Sequence, residues 1–386
     1  MKRKVCFVTG SRAEYGLLRR ILRLANKDPE IIMQLIVTGT HLSAAHGNTI
    51  AEIEEDGFLI DATLEILNGY EEEINIGLAI SKGIEKYSYE FSKLSPDIIV
   101  VLGDRYEALS AATAALAARI PIAHIHGGES TEGLIDEAIR HAITKMSHVH
   151  FVATEQYARR VIQLGEQPKS VHIVGGLGVD AILNTDLLSL ENLSKSLDID
   201  LNLPTYVVTF HPETLNIGGA ELQMQQLLAA LHDFDERQFV FTMPNSDHEN
   251  EHIYELINTF VHEHKNAYSF NSLGILRYLS LLRYSKGVIG NSSSGILEAP
   301  SFKIGTINIG ARQQGRIQAE SIINCSAQKD DISSALRILE SPKFQNILLN
   351  TINPYQKAGT SETILRELKS LDLENILLKV FFEVKS

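Results

Sequence analysis

The sequence predicts an α/β protein made of two successive halves, each a doubly wound parallel sheet with helices on both faces. Short apolar runs rich in β-branched residues alternate with segments of helical periodicity, and the alternation restarts after residue 204. The apolar runs contain few polar residues, which is typical of parallel strands that are covered on both faces. Strand–helix alternation of this kind favours parallel sheets with right-handed crossovers.

Individual elements follow from these runs. Strands are predicted at residues 5–9, 31–38, 98–102, 122–125, 149–153 and 171–174 in the first half, and at 206–210, 239–242, 287–290 and 305–308 in the second. Helical spacing between the strands is clearest at residues 108–118, 223–231 and 275–282.

Two domains are predicted, at residues 1–183 and 204–360. Residues 184–204 between them are rich in Asp, Asn, Ser and Leu and lack a strand period, which indicates a hinge. A C-terminal tail, residues 361–386, has helical spacing over 362–382, and we expect it to pack on the first domain. Ligands of open α/β sheets bind at the carboxyl ends of the strands. Two such domains facing each other would therefore enclose a central cleft.

Composition excludes several classes of protein. The chain has 386 residues, of which 44% are hydrophobic and 22% charged, as in ordinary globular proteins. A net charge of −13 argues against nonspecific binding to nucleic acid or anionic membranes. The two cysteines, Cys6 and Cys325, rule out a disulfide framework and fit a cytoplasmic location. No apolar stretch reaches the 18 residues or so that a membrane span needs.

Polar residues cluster directly after five of the predicted strands. The five segments are GSRAEY (10–15), GDR (103–105), HGGE (126–129), HPE (211–213) and NSSSG (291–295). Ordinary turn and cap chemistry explains one such loop. Five loops, each with a charged or hydroxyl group at a strand end, indicate a ligand-binding cleft.

Residues 291–295 predict an anion site. A strand leads into this serine-rich turn and a short helix follows, so free backbone N–H groups and the hydroxyls of Ser292 and Ser293 would meet a phosphate. A plain serine N-cap is the alternative.

Three arginines also follow predicted strands: Arg12, Arg105 and Arg312. Their forked, permanently charged guanidinium groups fit a diphosphate. Surface salt bridges are the alternative explanation for any one of them.

Acid–base candidates lie in the same loops. Asp104 stands at a strand end, Glu129 closes the glycine loop, and Asp136 and Arg140 share a helix face because they are four residues apart. His211 precedes a proline and is expected in extended backbone. A carboxylate in a closed cleft can have its pKa raised toward the working pH and act as base or acid. Helix capping for Asp136 and a structural role for His211 are the alternatives.

Motifs for cofactors are weak or missing. The H-E-x-x-H match at residues 248–252 has polar neighbours and no third ligand, so a solvated helix is expected there and no zinc site. The glycines at 175–178 lack dinucleotide-binding spacing, and the sequence contains neither a P-loop nor a G-x-S-x-G elbow. We therefore expect no metal and no organic cofactor.

Taken together, these motifs resemble the hydrolysing UDP-N-acetylglucosamine 2-epimerases of sialic-acid-type sugar biosynthesis, over most of the chain. The matching segments are GSRAEY (10–15), GDRYEAL (103–109), HIHGGE (124–129), IDEAIRHAITK (135–145), FHPET (210–214) and GNSSSG (290–295). The resemblance implies a GT-B-like fold of two Rossmann-like domains with the sugar nucleotide between them. It also implies hydrolysis of UDP-N-acetylglucosamine to UDP and N-acetylmannosamine, without metal or nicotinamide, by a homo-oligomer that we expect to be a dimer.

The resemblance also implies roles for individual residues. UDP would be held by Arg12, Arg105, Ser292, Ser293, Glu298 and Arg312. The sugar and its glycosidic oxygen would be reached by Asn245 and His211. The chemistry would be served by Asp104, Asp136, Arg140 and the acid of the glycine loop.

One position departs from the pattern of the animal enzymes. There a catalytic glutamate precedes the Gly-Gly pair, whereas this chain has His126 before the pair and Glu129 after it. The segment between His126 and Arg140 is also one residue longer. Either His126 or Glu129 therefore takes the acid–base role of the glycine loop.

Three other functions compete with this one. The same reaction on UDP-2,4-diacetamido-2,4,6-trideoxyglucose needs a different pocket around the sugar C4 and C6, which the sequence does not reveal. A GT-B glycosyltransferase would transfer the sugar to an acceptor and leave C2 unlabelled by solvent. A regulator would bind the UDP-sugar without turnover.

Overall fold

The computed structural model describes residues 2–44, 47–67, 76–131, 135–211, 219–243 and 251–384. The chain divides into two compact units. Unit 1 contains the chain up to Glu129, Ile135–Ala181 and the chain from Lys357 onward. Unit 2 consists mainly of Ile182–Gln356. Both termini therefore belong to unit 1.

Unit 1 is built on a seven-stranded, entirely parallel sheet. Its strands are β1 (Arg3–Thr9), β2 (Ile31–Thr38), β3 (Ala62–Leu64), β4 (Ile98–Leu102), β5 (Ile122–Ile125), β6 (Val149–Val152) and β7 (Val171–Ile173). Its helices are α1 (Arg12–Lys27), α2 (Ile50–Glu55), α3 (Ile76–Leu94), α4 (Tyr106–Ala117), α5 (Ile135–Met146), α6 (Glu155–Gln163) and α7 (Leu177–Leu183). The strand order is β3-β2-β1-β4-β5-β6-β7.

Unit 2 is built on a six-stranded parallel sheet. Its strands are β8 (Thr205–Thr209), β9 (Gln238–Thr242), β10 (Ala267–Phe270), β11 (Gly287–Gly290), β12 (Gly305–Ile309) and β13 (Ile322–Cys325). Its helices are α8 (Leu190–Leu197), α9 (Gly219–His232), α10 (Glu251–Glu263), α11 (Gly274–Tyr284), α12 (Ser293–Leu297), α13 (Lys329–Glu340) and α14 (Pro342–Asn350). The strand order is β10-β9-β8-β11-β12-β13.

Central strands are apolar throughout because each sheet separates two hydrophobic cores. In β1, Val5 and Phe7 belong to one core while Cys6 and Val8 belong to the other. Successive side chains of a strand point to opposite faces. A strand covered on both faces therefore needs apolar residues at every position, which is the pattern that made these strands readable in the sequence.

Three strands that the sequence did not predict lie at sheet edges: β3, β10 and β13. They are three or four residues long and only partly buried. An edge strand has neighbours on one side only, so its sequence carries a weaker apolar signal. The predicted α/β fold class, with two Rossmann-like doubly wound units of the GT-B-like kind, is confirmed.

The order of each sheet reverses direction at one place, between β1 and β4 in unit 1 and between β8 and β11 in unit 2. Such switch points leave a crevice at the carboxyl ends of the strands, where ligands of this fold bind. The loops after these four strands begin at Gly10, Gly103, Phe210 and Asn291. Four of the five polar segments singled out in the sequence therefore begin at the two switch points, although Pro212 and Glu213 lie outside the described residues.

The C-terminal tail packs on unit 1. Its helix α15 (Thr360–Ser370) ends well before residue 382, where the helical spacing predicted its end, and the chain then continues without regular structure. Buried Glu166 accepts hydrogen bonds from Lys145 and from His150, and it forms a 2.8 Å ion pair with Lys379 of the tail.

Among the described helices none is long and apolar enough to cross a membrane.

Candidate active site

The β1/β4 switch point of unit 1 buries two carboxyl groups. Ser11 caps α1, and Glu14 in its first turn accepts a 2.7 Å hydrogen bond from the N–H of Gly10. Burial, with a smaller contribution from the charge of nearby Glu107, raises the pKa of Glu14 to about 8 against the opposing effects of the Gly10 N–H and of Arg105. Glu107 is 1% exposed. Glu14 therefore holds a proton at neutral pH.

Glu107 forms a two-pronged ion pair with Arg105. The Nε and Nη2 atoms of Arg105 donate to the two carboxylate oxygens at 3.1 and 3.0 Å. The negative charge of Glu107 raises the pKa of Arg105 above its ordinary value. The side chain of Arg105 is 37% exposed while that of Glu107 is 2% exposed. The guanidinium is therefore anchored on one edge and open to solvent on the other.

A second charged cluster joins the loop after β4 to α5. Arg140, whose side chain is 1% exposed, donates to the carboxylates of Asp104 and Glu137 and to the backbone oxygen of Glu129 at 3.0 Å. A buried arginine with three acceptors fixes its partners in place. Burial raises the pKa of Asp136, and the charge of Asp104 raises it further. The cluster thus contains an ion-paired Asp104 and an Asp136 whose pKa lies above its ordinary value.

The glycine loop ties its two candidate groups to each other. His126 has left-handed backbone with φ 65°, and its Nδ1 lies 2.8 Å from Oε1 of Glu129. Its Nε2 accepts a 3.3 Å hydrogen bond from the N–H of Leu177. Because Nε2 is the acceptor, a neutral ring carries its proton on Nδ1, the nitrogen nearer to Glu129. Glu129 is 3% exposed.

The β8/β11 switch point of unit 2 is centred on Asn291, which is fully buried. Its side-chain amide exchanges two 2.7 Å hydrogen bonds with the backbone of His211 and so links the ends of β8 and β11. Its backbone oxygen accepts from Arg312 at 3.1 Å and from Gln313 at 2.8 Å. Burial and, to a smaller extent, the positive charge of Arg312 lower the pKa of His211 to about 3. His211 is therefore a neutral imidazole at pH 7.

The serine-rich turn of unit 2 does have the predicted cap. Ser292 is the N-cap of α12 and accepts from the N–H of Ser294, while Tyr278 donates to the Ser294 hydroxyl at 2.6 Å. The side chains of Ser292, Ser293 and Glu298 are partly exposed. Capping alone explains Ser292, so a phosphate site at this turn stays a prediction.

Each unit brings together part of the predicted set. Unit 1 holds Arg12, Asp104, Arg105, His126, Glu129, Asp136 and Arg140, and unit 2 holds His211, Ser292, Ser293, Glu298 and Arg312. Arg12 is ion-paired with Glu52 at 2.6 Å, in line with the salt-bridge alternative. Asn245 and residues 248–250 of the H-E-x-x-H match lie outside the described residues. In the described part of the chain, no group of three or more His, Cys, Asp or Glu residues is arranged to hold a metal ion.

Sequence analysis missed four residues at these switch points: Glu14, Glu107, Asn291 and Gln313. Three of them stand inside segments that the motifs had already marked, at 10–15, 103–109 and 291–295. The segments were the available signal, but nothing in the sequence distinguishes a side chain that faces a neighbouring strand end from one that faces solvent.

The two parallel sheets and their polar switch points place the protein in a class of α/β proteins. Members of this class have two Rossmann-like units and a GT-B-like fold. A sequence profile described as UDP-N-acetylglucosamine 2-epimerase matches residues 23–369. The chain is 39% identical over 385 residues to the GDP/UDP-N,N'-diacetylbacillosamine 2-epimerase (hydrolyzing) of Campylobacter jejuni, which covers 99% of this chain and 100% of that protein. The protein thus belongs to the UDP-N-acetylglucosamine 2-epimerase family, as the motifs predicted.

Two further comparisons agree with this assignment. Polysialic acid biosynthesis protein P7 of Escherichia coli is 40% identical over 384 residues, covering 99% of this chain and 98% of that protein. The crystal structure of UDP-GlcNAc 2-epimerase from Neisseria meningitidis bound to UDP-GlcNAc matches with a TM-score of 0.83 at 19% identity, covering 95% of this chain and 99% of that one. The second likeness shows the shared fold.

Proposed function

We propose that the protein is a hydrolysing 2-epimerase that converts UDP-N-acetylglucosamine to UDP and N-acetylmannosamine. The observation that carries this proposal is the cluster of Asp104, Asp136 and Arg140 at the β1/β4 switch point. It supplies a carboxyl group that is ion-paired with Arg140 and a second one whose pKa is raised by burial, and membership of the epimerase family gives them a reaction. Two acid–base groups suit the removal and the return of one proton.

The first step is elimination. The C2–H of an acetamido sugar is too weakly acidic for a carboxylate to remove directly. Departure of UDP breaks the C1–O bond and leaves positive charge on the ring, which acidifies C2. Loss of the C2 proton then gives a C1=C2 double bond, and UDP leaves with the electron pair of the broken bond. Stabilising the leaving diphosphate therefore comes before proton removal.

We assign the base to Asp104 and the proton donor to Asp136. The carboxylate of Asp104 is held in an ion pair with Arg140. Burial and the charge of Asp104 favour the protonated form of Asp136. In the second step water adds to C1 while a proton reaches C2 on the opposite face. The product is the 2-epimer and free UDP, with no net change in protons on carbon.

The glycine loop supplies Glu129 as its acid–base group, and His126 holds it. Both ring nitrogens of His126 are engaged, one with Glu129 and one with the N–H of Leu177. A ring held in this way has no lone pair left for a substrate proton. Glu129 is therefore the group that we propose to guide the attacking water.

Unit 2 is proposed to hold the nucleotide. Arg312, which donates to the backbone of Asn291, offers a permanent positive charge. Ser292, Ser293 and Glu298, at the ends of α12, offer polar groups. His211 is neutral at pH 7, so it donates a hydrogen bond to the leaving-group oxygen without contributing a charge. Arg12 and Arg105 of unit 1 are the further candidates for the diphosphate.

A second substrate is favoured by one comparison. The Campylobacter jejuni relative is named for diacetylbacillosamine, a sugar with acetamido groups at C2 and C4. The elimination chemistry at C1 and C2 is the same for both sugars. Only contacts at C4 and C6 of the ring distinguish the two substrates.

The test is turnover in D₂O with EDTA present. Purified protein is incubated separately with UDP-N-acetylglucosamine and with UDP-2,4-diacetamido-2,4,6-trideoxyglucose. The proposal expects release of UDP and one deuterium at C2 of the 2-epimer, with the higher kcat/KM for UDP-N-acetylglucosamine. Unlabelled C2 would instead support a glycosyltransferase, and tight UDP binding without turnover would support a regulator. A higher kcat/KM for the diacetamido sugar would reassign the substrate and leave the reaction intact.

A further inference from the structure

Unit 1 contains a buried carboxylate that the proposed chemistry does not use, Glu107 in the first turn of α4. Its side chain is 2% exposed, yet both of its oxygens are directed at Arg105. Burying a charge is unfavourable unless it is paired and hydrogen-bonded. A surface arginine would not need such a partner. The buried carboxylate of Glu107 therefore serves to fix the orientation of the Arg105 guanidinium.

Two glycines make room for the Glu107 side chain. A Cβ atom at position 10 would lie 2.7 Å from Cγ of Glu107, and one at position 39 would lie 2.6 Å from its Oε1. Gly39 also has left-handed backbone with φ 60°. Loops after two different strands, β1 and β2, thus leave space for one side chain. The Glu107 side chain therefore lies close against the backbone of both loops.

The neighbouring carboxyl group of Glu14 does not compete for Arg105. It bonds to the N–H of Gly10. With two carboxyl groups and one guanidinium in the same place, the proton goes to Glu14, whose pKa is about 8, mainly because of burial. Glu107 therefore carries the negative charge that pairs with Arg105.

The ion pair leaves part of Arg105 available. Glu107 occupies Nε and Nη2, and Nη1 has no hydrogen-bond partner among the residues that the structure describes. A guanidinium fixed on one edge keeps its remaining donors at a constant angle, and this lowers the entropy lost when an anion binds.

We propose that Glu107 is a positioning residue that orients Arg105 toward the diphosphate of the substrate. This inference rests on the proposed function, since that function supplies the diphosphate. Glu107 itself does not touch the ligand. Its contribution reaches the ligand only through Arg105, and this dependence can be measured.

The experiment compares two ion pairs of the same geometry in one protein. Glu107→Gln replaces one carboxylate oxygen by an amide that repels the guanidinium. Glu340→Gln is the matched control, because Glu340 accepts from Nε and Nη2 of Arg237 at 3.0 and 2.9 Å in unit 2. Neither Glu340 nor Arg237 belongs to the proposed site. Both variants lose a charge-assisted ion pair, and both are expected to lower Tm.

Only Glu107→Gln is expected to weaken binding. The Kd for UDP and the KM for the UDP-sugar should rise about tenfold or more, the scale of one charge-assisted hydrogen bond, with a smaller change in kcat. Glu340→Gln should leave both constants within about twofold of the parent, since effects at distant sites are independent. Arg105→Ala should weaken UDP binding at least as much, and adding Glu107→Gln to it should weaken binding no further.

Five outcomes decide the matter. Unchanged UDP binding in Glu107→Gln, or an additive loss in the double variant, overturns the positioning role. A parent that neither binds UDP nor turns over a UDP-sugar overturns the proposed function, and the role of Glu107 falls with it. If Glu107→Gln does not fold, Glu107→Asp keeps the charge but shortens the side chain by one carbon. A KM for that variant equal to the parent's would overturn the inference, and a raised KM with kcat largely kept would support it.

Discussion

The two units share one strand order but differ in the chemistry at their switch points. In unit 1 the ends of β1 and β4 carry ionisable groups: Glu14, Asp104, Arg105, Glu107 and, from α5, Asp136 and Arg140. In unit 2 the described residues at this place are mainly amides and hydroxyls: Asn291, Ser292 and Ser294 follow β11, and Arg312 and Gln313 reach Asn291 from the loop after β12. The same backbone topology therefore presents mainly carboxylates and arginines in one unit, and mainly amides and hydroxyls with one arginine in the described part of the other. The difference teaches that side chains at the switch point, and not strand order, decide what each unit does.

The largest effect is expected from Asp104→Asn in unit 1. Loss of the proposed base should lower kcat by about 10²–10⁴-fold, the range for one acid–base group, while the Kd for UDP changes little. UDP release and calorimetric UDP binding measure the two quantities. Asp97→Asn is the matched control, because Asp97 lies just before the same strand and only bonds the N–H of Lys4 at 2.8 Å. Equal kcat for Asp104→Asn and the parent would remove the acid–base role from unit 1.

A smaller effect is expected from Asn291→Ala in unit 2. The variant loses both hydrogen bonds to the backbone of His211, so the free energy of unfolding should fall by about 1–3 kcal/mol. The Kd for UDP should rise about tenfold, since the strand ends are no longer held together, while C2 deuteration of the product persists. Chemical denaturation and calorimetry check these values. Asn324→Ala, at the end of the edge strand β13, should leave UDP binding unchanged, and a weaker Kd there would contradict the assignment.

Acid should destabilise unit 1 more than unit 2. Burial lowers the pKa of His41 and His148 to about 4 and that of His124 to about 3 in unit 1, whereas His211 is the histidine with a clearly lowered pKa in the described part of unit 2. Between pH 6.5 and about 4 the unfolded chain binds protons that these folded histidines do not bind. Each therefore costs up to about 1.4 kcal/mol of stability per pH unit as the pH falls.

Hydrogen exchange resolved by mass spectrometry checks this asymmetry. Protection factors of peptides from β5 and β6 should fall between pH 6.5 and 4.5 by more than those from β8 and β11. Equal losses in both units would show that histidine burial does not set their acid stability.

The smallest change in the pH dependence of stability is expected from Glu14→Gln, because only one group titrates. Folded Glu14 keeps its proton up to about pH 8, while the unfolded residue releases it near pH 4.5. Stability of the parent should therefore fall as the pH rises from 5 to 8, by up to about 1.4 kcal/mol per pH unit from this group. The variant has no such proton to lose, so its denaturation midpoints should depend less steeply on pH. Glu107, Arg105 and Tyr87 are the charged or titratable groups near Glu14, and they are unchanged in the variant. Identical slopes would mean that Glu14 is ionised in the folded protein.

The sequence was enough for the architecture because buried strands leave a direct record in it. Strands β2, β4, β5 and β11 begin and end at the predicted residues, since apolar residues occupy every position and polar loops follow at once. The edge strands β3, β10 and β13 left no such record. Asp104 and Arg140 were both chosen as site residues, yet their ion pair joins residues 36 positions apart and depends on how α5 packs beside the end of β4. Partners of this kind, like Glu107 with Gly39 or Asn291 with His211, follow from tertiary packing and not from local pattern.

The return of the chain from unit 2 to unit 1 has a consequence for synthesis. Helix α15 packs beside α1, and Lys379 reaches Glu166, only when the last thirty or so residues are present. A ribosome releases these residues after all of unit 2 has emerged. The domain that starts before unit 2 is thus completed after it, and nascent chains must keep the surface that α15 will cover from aggregating until that helix emerges.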